Sequence, residues 1–170
     1  MKHGRALVES LKQFVAGKET LSELPRPERT LDYESPELRF HLTARDADKF
    51  SFILDELAFD FAKETADERV EPQTLKRLAK ELASRATYLV EGLDVIEVDD
   101  ANLTVQVRSK PPHTEAHRVE YFELLLTASG QGSFKRYVFD KSSRKRATIP
   151  FHVTEDVLAR FAEDIYTVFA

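Results

Sequence analysis

Apolar residues recur at helical spacing in four stretches of the chain and alternate with polar residues through most of its second half. Leu7, Leu11, Phe14 and Val15 share one face of a helix expected over about residues 4–17, with Gly17 as a natural stop. Leu24-Pro25-Arg26-Pro27-Glu28 then forbids a continuing helix and predicts a proline loop over 25–36. Leu38 to Thr43 alternate as a half-buried strand. Asp46 or Asp48 can cap a second helix, in which Phe50, Ile53, Leu54, Leu57, Ala58 and Phe61 form a full apolar stripe. Phe52 and Phe59 widen that stripe beyond what one sheet covers, so the helix is expected either to be deeply buried between layers or to meet another subunit through these two rings. Pro72 suits the first turn of a third helix, whose buried face runs from Leu75 to Val90 and which Gly92 ends.

From Leu93 the period changes from 3.6 to 2. Leu93–Asp99 and Leu103–Ser109 predict one hairpin; Val119–Ala128 and Phe134–Asp140 predict another, around Ser129-Gly130-Gln131-Gly132. Ala147, Ile149, Phe151 and Val153 alternate along a last strand, which Pro150 should place at an edge or break. Thr154 caps a final helix with Val157, Leu158, Phe161, Ile165 and Val168 as its stripe. Strands joined by short turns run antiparallel, and apolar helices need a sheet face to cover. The expected fold is therefore a two-layer α+β domain spanning residues 1–170. It has a mostly antiparallel meander sheet of about five or six strands and about four helices, mainly on one face. Residues 1–24 form a helical arm ahead of the proline loop.

Composition narrows the function classes. The 170 residues are 42 % hydrophobic with twelve Phe, enough to bury an independent core despite 32 % charged residues. With no Cys, disulfides, thiolate metal sites and a cysteine nucleophile are excluded. Glu9, Lys12 and Gln13 interrupt the apolar positions near the N-terminus, so no signal peptide is expected, and no run is long enough to span a membrane. A cytoplasmic protein is the expectation. The net charge of −5 argues against a nucleic-acid partner while leaving room for a local basic patch.

Three groups of residues could carry chemistry. His113 and His117 lie four apart and could share a metal on a helix, but they follow Pro111-Pro112, lack the zinc-protease order and name no third ligand. A solvated loop accounts for them, and neither a metal nor a cofactor is expected. The basic run Lys135, Arg136, Lys141, Arg144, Lys145 and Arg146 could grip an anion, because Arg offers forked donors to phosphate or carboxylate oxygens. Arg136, Arg144, Lys145 and Arg146 are its candidate ligand-binding residues, although cations also guard exposed turns and edges. Glu91, Asp94, Glu97, Asp99 and Asp100 flank a hairpin, where turn geometry explains them. No Gly-x-Ser-x-Gly elbow or phosphate-cradling loop occurs, and no catalytic residue is assigned.

The leading expectation is a non-enzymatic binding protein, with Phe52 and Phe59 as the candidate interface of a homodimer. The alternative is an enzyme or binding protein for a phosphate-bearing or acidic ligand held by the Arg136–Arg146 region.

Overall fold

The computed structural model describes residues 1–61 and 68–170. In chain order these form α1 (Lys2–Ala16), two 3-10 turns (Leu21–Glu23 and Arg26–Arg29), β1 (Thr30–Glu34), β2 (Arg39–Ala47), β3 (Ser51–Asp60) and α2 (Pro72–Arg85). There follow β4 (Gly92–Asp99), β5 (Thr104–Lys110), β6 (His113–Glu115), β7 (Arg118–Thr127), β8 (Gln131–Asp140), β9 (Lys145–Ile149), β10 (Phe151–Thr154) and α3 (Glu155–Phe169). The α+β class and antiparallel sheet are as expected, but the sheet is larger. Among the described residues it has ten strands, with a main order of β1-β2-β3-β8-β7-β5-β4, and there are three α-helices.

The missing helix is β3. Its residues were expected to be helical because apolar positions fall three and four apart, and a β-bulge produces the same spacing. Thr43 pairs with Glu56 while Ala44 pairs with Leu54, so Asp55 is the extra residue. The insertion turns both Leu54 and Leu57 inward, and an alternating strand then imitates a helical stripe. Asp48, a candidate helix cap, instead accepts from the Phe50 and Ser51 amides at 2.8 Å in the turn between β2 and β3. Phe52 and Phe59 are correspondingly not surface rings: they are 1 % and 0 % exposed, inside the core of the single chain.

Two further boundaries differ. α2 stops at Arg85 rather than near Gly92, so Val90, expected on its buried face, lies in solvent, and Tyr88 is drawn across α3, where its hydroxyl donates to Asp164 at 2.6 Å. β1 emerges from the expected proline loop because β2 supplies its ladder: Leu31 pairs with Leu42, and the Thr30 and Thr43 hydroxyls share a hydrogen bond of 2.9 Å.

The period of 2 extends across the whole sheet. Leu31, Leu42, Leu57, Phe134, Leu124, Val107 and Val95 are successive register partners on seven strands, and every one is apolar. This face receives the helices: Phe161 of α3 packs on Phe134 at 4.8 Å, and Phe169 packs on Phe59 at 5.1 Å. On the opposite face Thr30, Thr43 and Glu56 lead, through a Glu56–Lys135 ion pair of 3.4 Å, to Glu123, Arg108 and Asp94. Three carboxylates here hold two cations each. Asp55 pairs with Arg29 and Arg45, Glu56 with Arg26 and Lys135, and Glu123 with Arg108 and Arg146. No helix among the described residues is long and apolar enough to cross a membrane.

His41 on this polar face bridges Asp32 (Nδ1, 2.6 Å) and Asp60 (Nε2, 3.0 Å). Burial pulls its pKa down, but hydrogen bonds and charge from the two carboxylates outweigh burial, and the net shift is upward. A raised folded pKa stabilises the fold below the unfolded value, and that contribution is lost as pH rises through the folded one. We expect the stability gap between wild type and His41→Gln to shrink between about pH 5.5 and pH 8.5, by under ~1 kcal/mol because the ring is partly exposed. Urea midpoints at both pH values check this; a constant gap would mean the bridge carries no proton-linked stability.

Candidate functional site

The sheet forks between β3 and β8. The first half of β8 pairs with β3, Gln131–Phe134 against Asp60–Leu57, and its second half pairs with β9. The first half of β3 pairs with β10 instead. The chain therefore runs along β8 toward the apex of the fork as β9, reverses at Pro150, and leaves along β3 as β10. Proline suits this point because it has no amide to give either ladder and holds Ile149 extended. Strand breakage at Pro150 is as its position in the sequence predicts. Thr154 then caps α3 at once, its hydroxyl accepting from the Val157 amide at 3.3 Å.

A pocket of about 220 Å³ lies at the fork, on the helix side. Its walls include Leu57, Phe122, Phe134, Phe151, Val157 and Phe161, with Leu89 and Val90 contributed by the segment after α2. Phe122 and Phe134 stack at 5.1 Å, and Phe151 stands edge-on to them at 5.5 and 5.7 Å, the arrangement that ring quadrupoles favour. Among the described residues no Asp, Glu, Lys or Arg lines it. Its polar members are already engaged: burial and then the Asp164 carboxylate push the Tyr88 pKa up and keep its proton in place, and His152 Nε2 shares a 2.6 Å hydrogen bond with Ser51. At the rim Val90 is 102 % exposed, an apolar side chain wholly in solvent beside an apolar hollow.

Arg136 forms the pocket's outer shoulder. Its guanidinium lies 4.5 Å from the Phe122 ring centre and pairs with Glu91 at 3.1 Å and Glu120 at 3.4 Å. Glu91 also accepts from the Ser109 hydroxyl, whose oxygen in turn accepts from the Phe122 amide at 2.8 Å. Thus Glu91, a residue the turn reading had absorbed, orients Arg136 and supports a wall of the pocket.

The basic run does not converge. Arg146 is on the opposite face, stacked 3.6 Å from the Tyr137 ring centre and paired at 2.9 Å with Glu123, which is 4 % exposed and also receives Arg108 at 2.8 Å. Arg144 and Lys145 are exposed at the turn from β8 to β9, Arg144 with φ of 55°. Comparison with family models, with curated proteins and with solved structures yields no match.

The other candidates have local explanations. Asp99 accepts from the Asn102 and Ala101 amides at 2.9 and 3.1 Å, and Asp94 faces Lys110. His113 is on β6 and His117 in the turn after it, 3.7 Å from Asp140, so the two do not share a helix face. Among the described residues no three His, Asp or Glu side chains are grouped to hold a metal. The pocket itself escaped the sequence reading because Phe122, Phe134 and Phe151 have no common spacing. The available signal was Pro150, which breaks a strand four residues before the Thr154 cap.

Proposed function

We propose that this protein is a binding module that accepts a compact apolar group at the fork of its sheet. The observation that carries the reading is the pocket of about 220 Å³ walled by four phenylalanine rings, with no charged lining among the described residues and opening beside the exposed Val90. Small-molecule sites typically measure about 300–1,000 Å³, so the hollow suits one aromatic or branched aliphatic group rather than a large ligand. Among the described residues the lining supplies no carboxylate, amine or guanidinium, and its two ionisable members, His152 and Tyr88, are held by Ser51 and Asp164, which favours recognition over catalysis. An anionic ligand has less support: Arg136 and Arg146 sit on opposite faces, and each is already paired with a carboxylate. Self-association through Phe52 and Phe59 loses its motive, since both rings are in the core.

The test is an NMR titration of the protein with toluene. Amide shifts should move first in Phe151–Val157 and Leu89–Val90, and Val157→Trp, which fills the hollow from its rim, should abolish them while thermal unfolding remains cooperative. Toluene that perturbs other regions equally, or perturbs the filled variant as strongly, would remove the proposal.

A further inference from the structure

The two ends of the sheet are guarded by carboxylates, Asp32 and Glu34 on β1 and Asp94, Glu97 and Asp99 on β4. β9 is a third edge of opposite character. It pairs with β8 on one side only, because the chain leaves for β3 at Pro150, so among the described residues its other side has no strand partner. The parity of the ladder settles which backbone groups are unmatched. Lys141 donates to the His117 carbonyl and Phe61 to the Gly130 carbonyl, so even-numbered residues of β8 turn toward β3 and β9. Across the register Lys145, Ala147 and Ile149 then bond to β8, whereas the amides and carbonyls of Arg146 and Thr148 point away from it.

Residues 141–148 are all exposed, and Lys141, Arg144 and Lys145 form no ion pair among the described residues, in a protein of net charge −5. The edge also leads into the pocket. Phe122, Arg136 and Ile149 are successive register partners, and Phe151, just past Pro150, lines the hollow.

We propose that β9 accepts an extended acidic peptide as an added strand, with one apolar side chain of that peptide entering the fork pocket. This rests on the apolar-pocket reading and names the partner for it. Backbone groups of Arg146 and Thr148 supply the ladder, the three unpaired cations select carboxylates, and the pocket selects the anchor. A second copy of this chain fits the edge less well, since antiparallel pairing of two β9 strands would set Lys145 and Arg146 beside Ile149 and Thr148 and bring no carboxylate of β9 to the unpaired cations.

The experiment is fluorescence anisotropy of the full chain with a fluorescein-labelled peptide of alternating Glu and Val ending in Phe. Three controls accompany it: a Lys-for-Glu peptide, the acidic peptide N-methylated on alternate amides, and one ending in Ala. We expect the acidic peptide to bind, the Lys peptide and the Arg144→Glu/Lys145→Glu variant each to lose about tenfold or more, and the N-methylated peptide to lose binding. The Ala-ended peptide should be weaker on wild type and no weaker on Val157→Trp. Equal affinity for acidic and basic peptides, or undiminished binding of the N-methylated one, would overturn the edge. So would concentration-dependent self-association with no peptide binding. Charge-dependent, methylation-sensitive binding that ignores the terminal Phe, together with no toluene response, would instead locate the failure in the pocket.

Discussion

Gly4→Ala is expected to destabilise the protein by about 2–3 kcal/mol, the upper range for forcing one carbon into a packed contact. α1 crosses α3 so closely that a Cβ at position 4 would lie 1.8 Å from the Ala159 carbonyl oxygen. That atom is backbone and cannot rotate aside, so the helices must part. Parting them also strains the Gly4 amide's 2.7 Å hydrogen bond to Glu163, which serves as a cap for α1 supplied by another helix. Burial pushes the Glu163 pKa up, but the Gly4 amide and the N-terminal ammonium outweigh it, and the net shift is downward. The sign makes the test sharp. In an isolated helix Ala is favoured over Gly by about 1 kcal/mol, so a stabilising or neutral result in urea unfolding would mean that α1 does not dock on α3 in this way.

Truncating Phe59 should cost more. Phe59→Ala is expected to lose about 3–5 kcal/mol, the usual penalty for emptying a buried aromatic site. The ring is fully buried, with Phe169 at 5.1 Å, Phe61 at 5.9 Å and Phe40 at 6.3 Å, and it lies directly over Gly132 on the neighbouring strand. A Cβ on Gly132 would come within 2.3 Å of that ring, so Gly132→Ala should itself cost about 1–3 kcal/mol. The two positions are one packing unit and should not be additive. In a Phe59→Leu background, where the ring is gone, Gly132→Ala should be milder by about 1 kcal/mol. Denaturant unfolding of the four proteins measures this directly, and simple additivity would contradict the ring-over-glycine contact.

Gly132 illustrates how far the sequence could be read. Its neighbour Gly130 has φ of 88° and belongs to the turn, as the hairpin pattern implies. Gly132 is required for a different reason, the absence of a side chain beneath a ring more than seventy residues away in sequence, and no local pattern announces that. The bulge at Asp55 is similar. Its residue types fit a helix as well as a strand, and only Arg29 and Arg45 meeting the Asp55 carboxylate, with β2 and β8 on either side, select the strand.

The same distinction separates the cations. Arg136 and Arg146 are ten apart, an even offset that would share a face on a continuous strand, but the turn between β8 and β9 resets the alternation. Arg136 consequently falls beside Phe122, while Arg146 falls on Tyr137 across the sheet. Their local sequence reads as one basic patch; their register divides it.

From sequence alone came the α+β class, the antiparallel hairpins, the break at Pro150, the Thr154 cap and the apolar stripes of α1, α2 and α3. Each depends on a period, a proline or a cap whose physics operates within a few residues. Tertiary structure decided the strand identity of Ser51–Asp60, the fork between β3 and β8, the pocket within it and the partners of Arg45, Arg108, Arg136 and Arg146. These depend on which strands become neighbours, and a hollow between diverging strands is a property of that pairing rather than of any segment read alone.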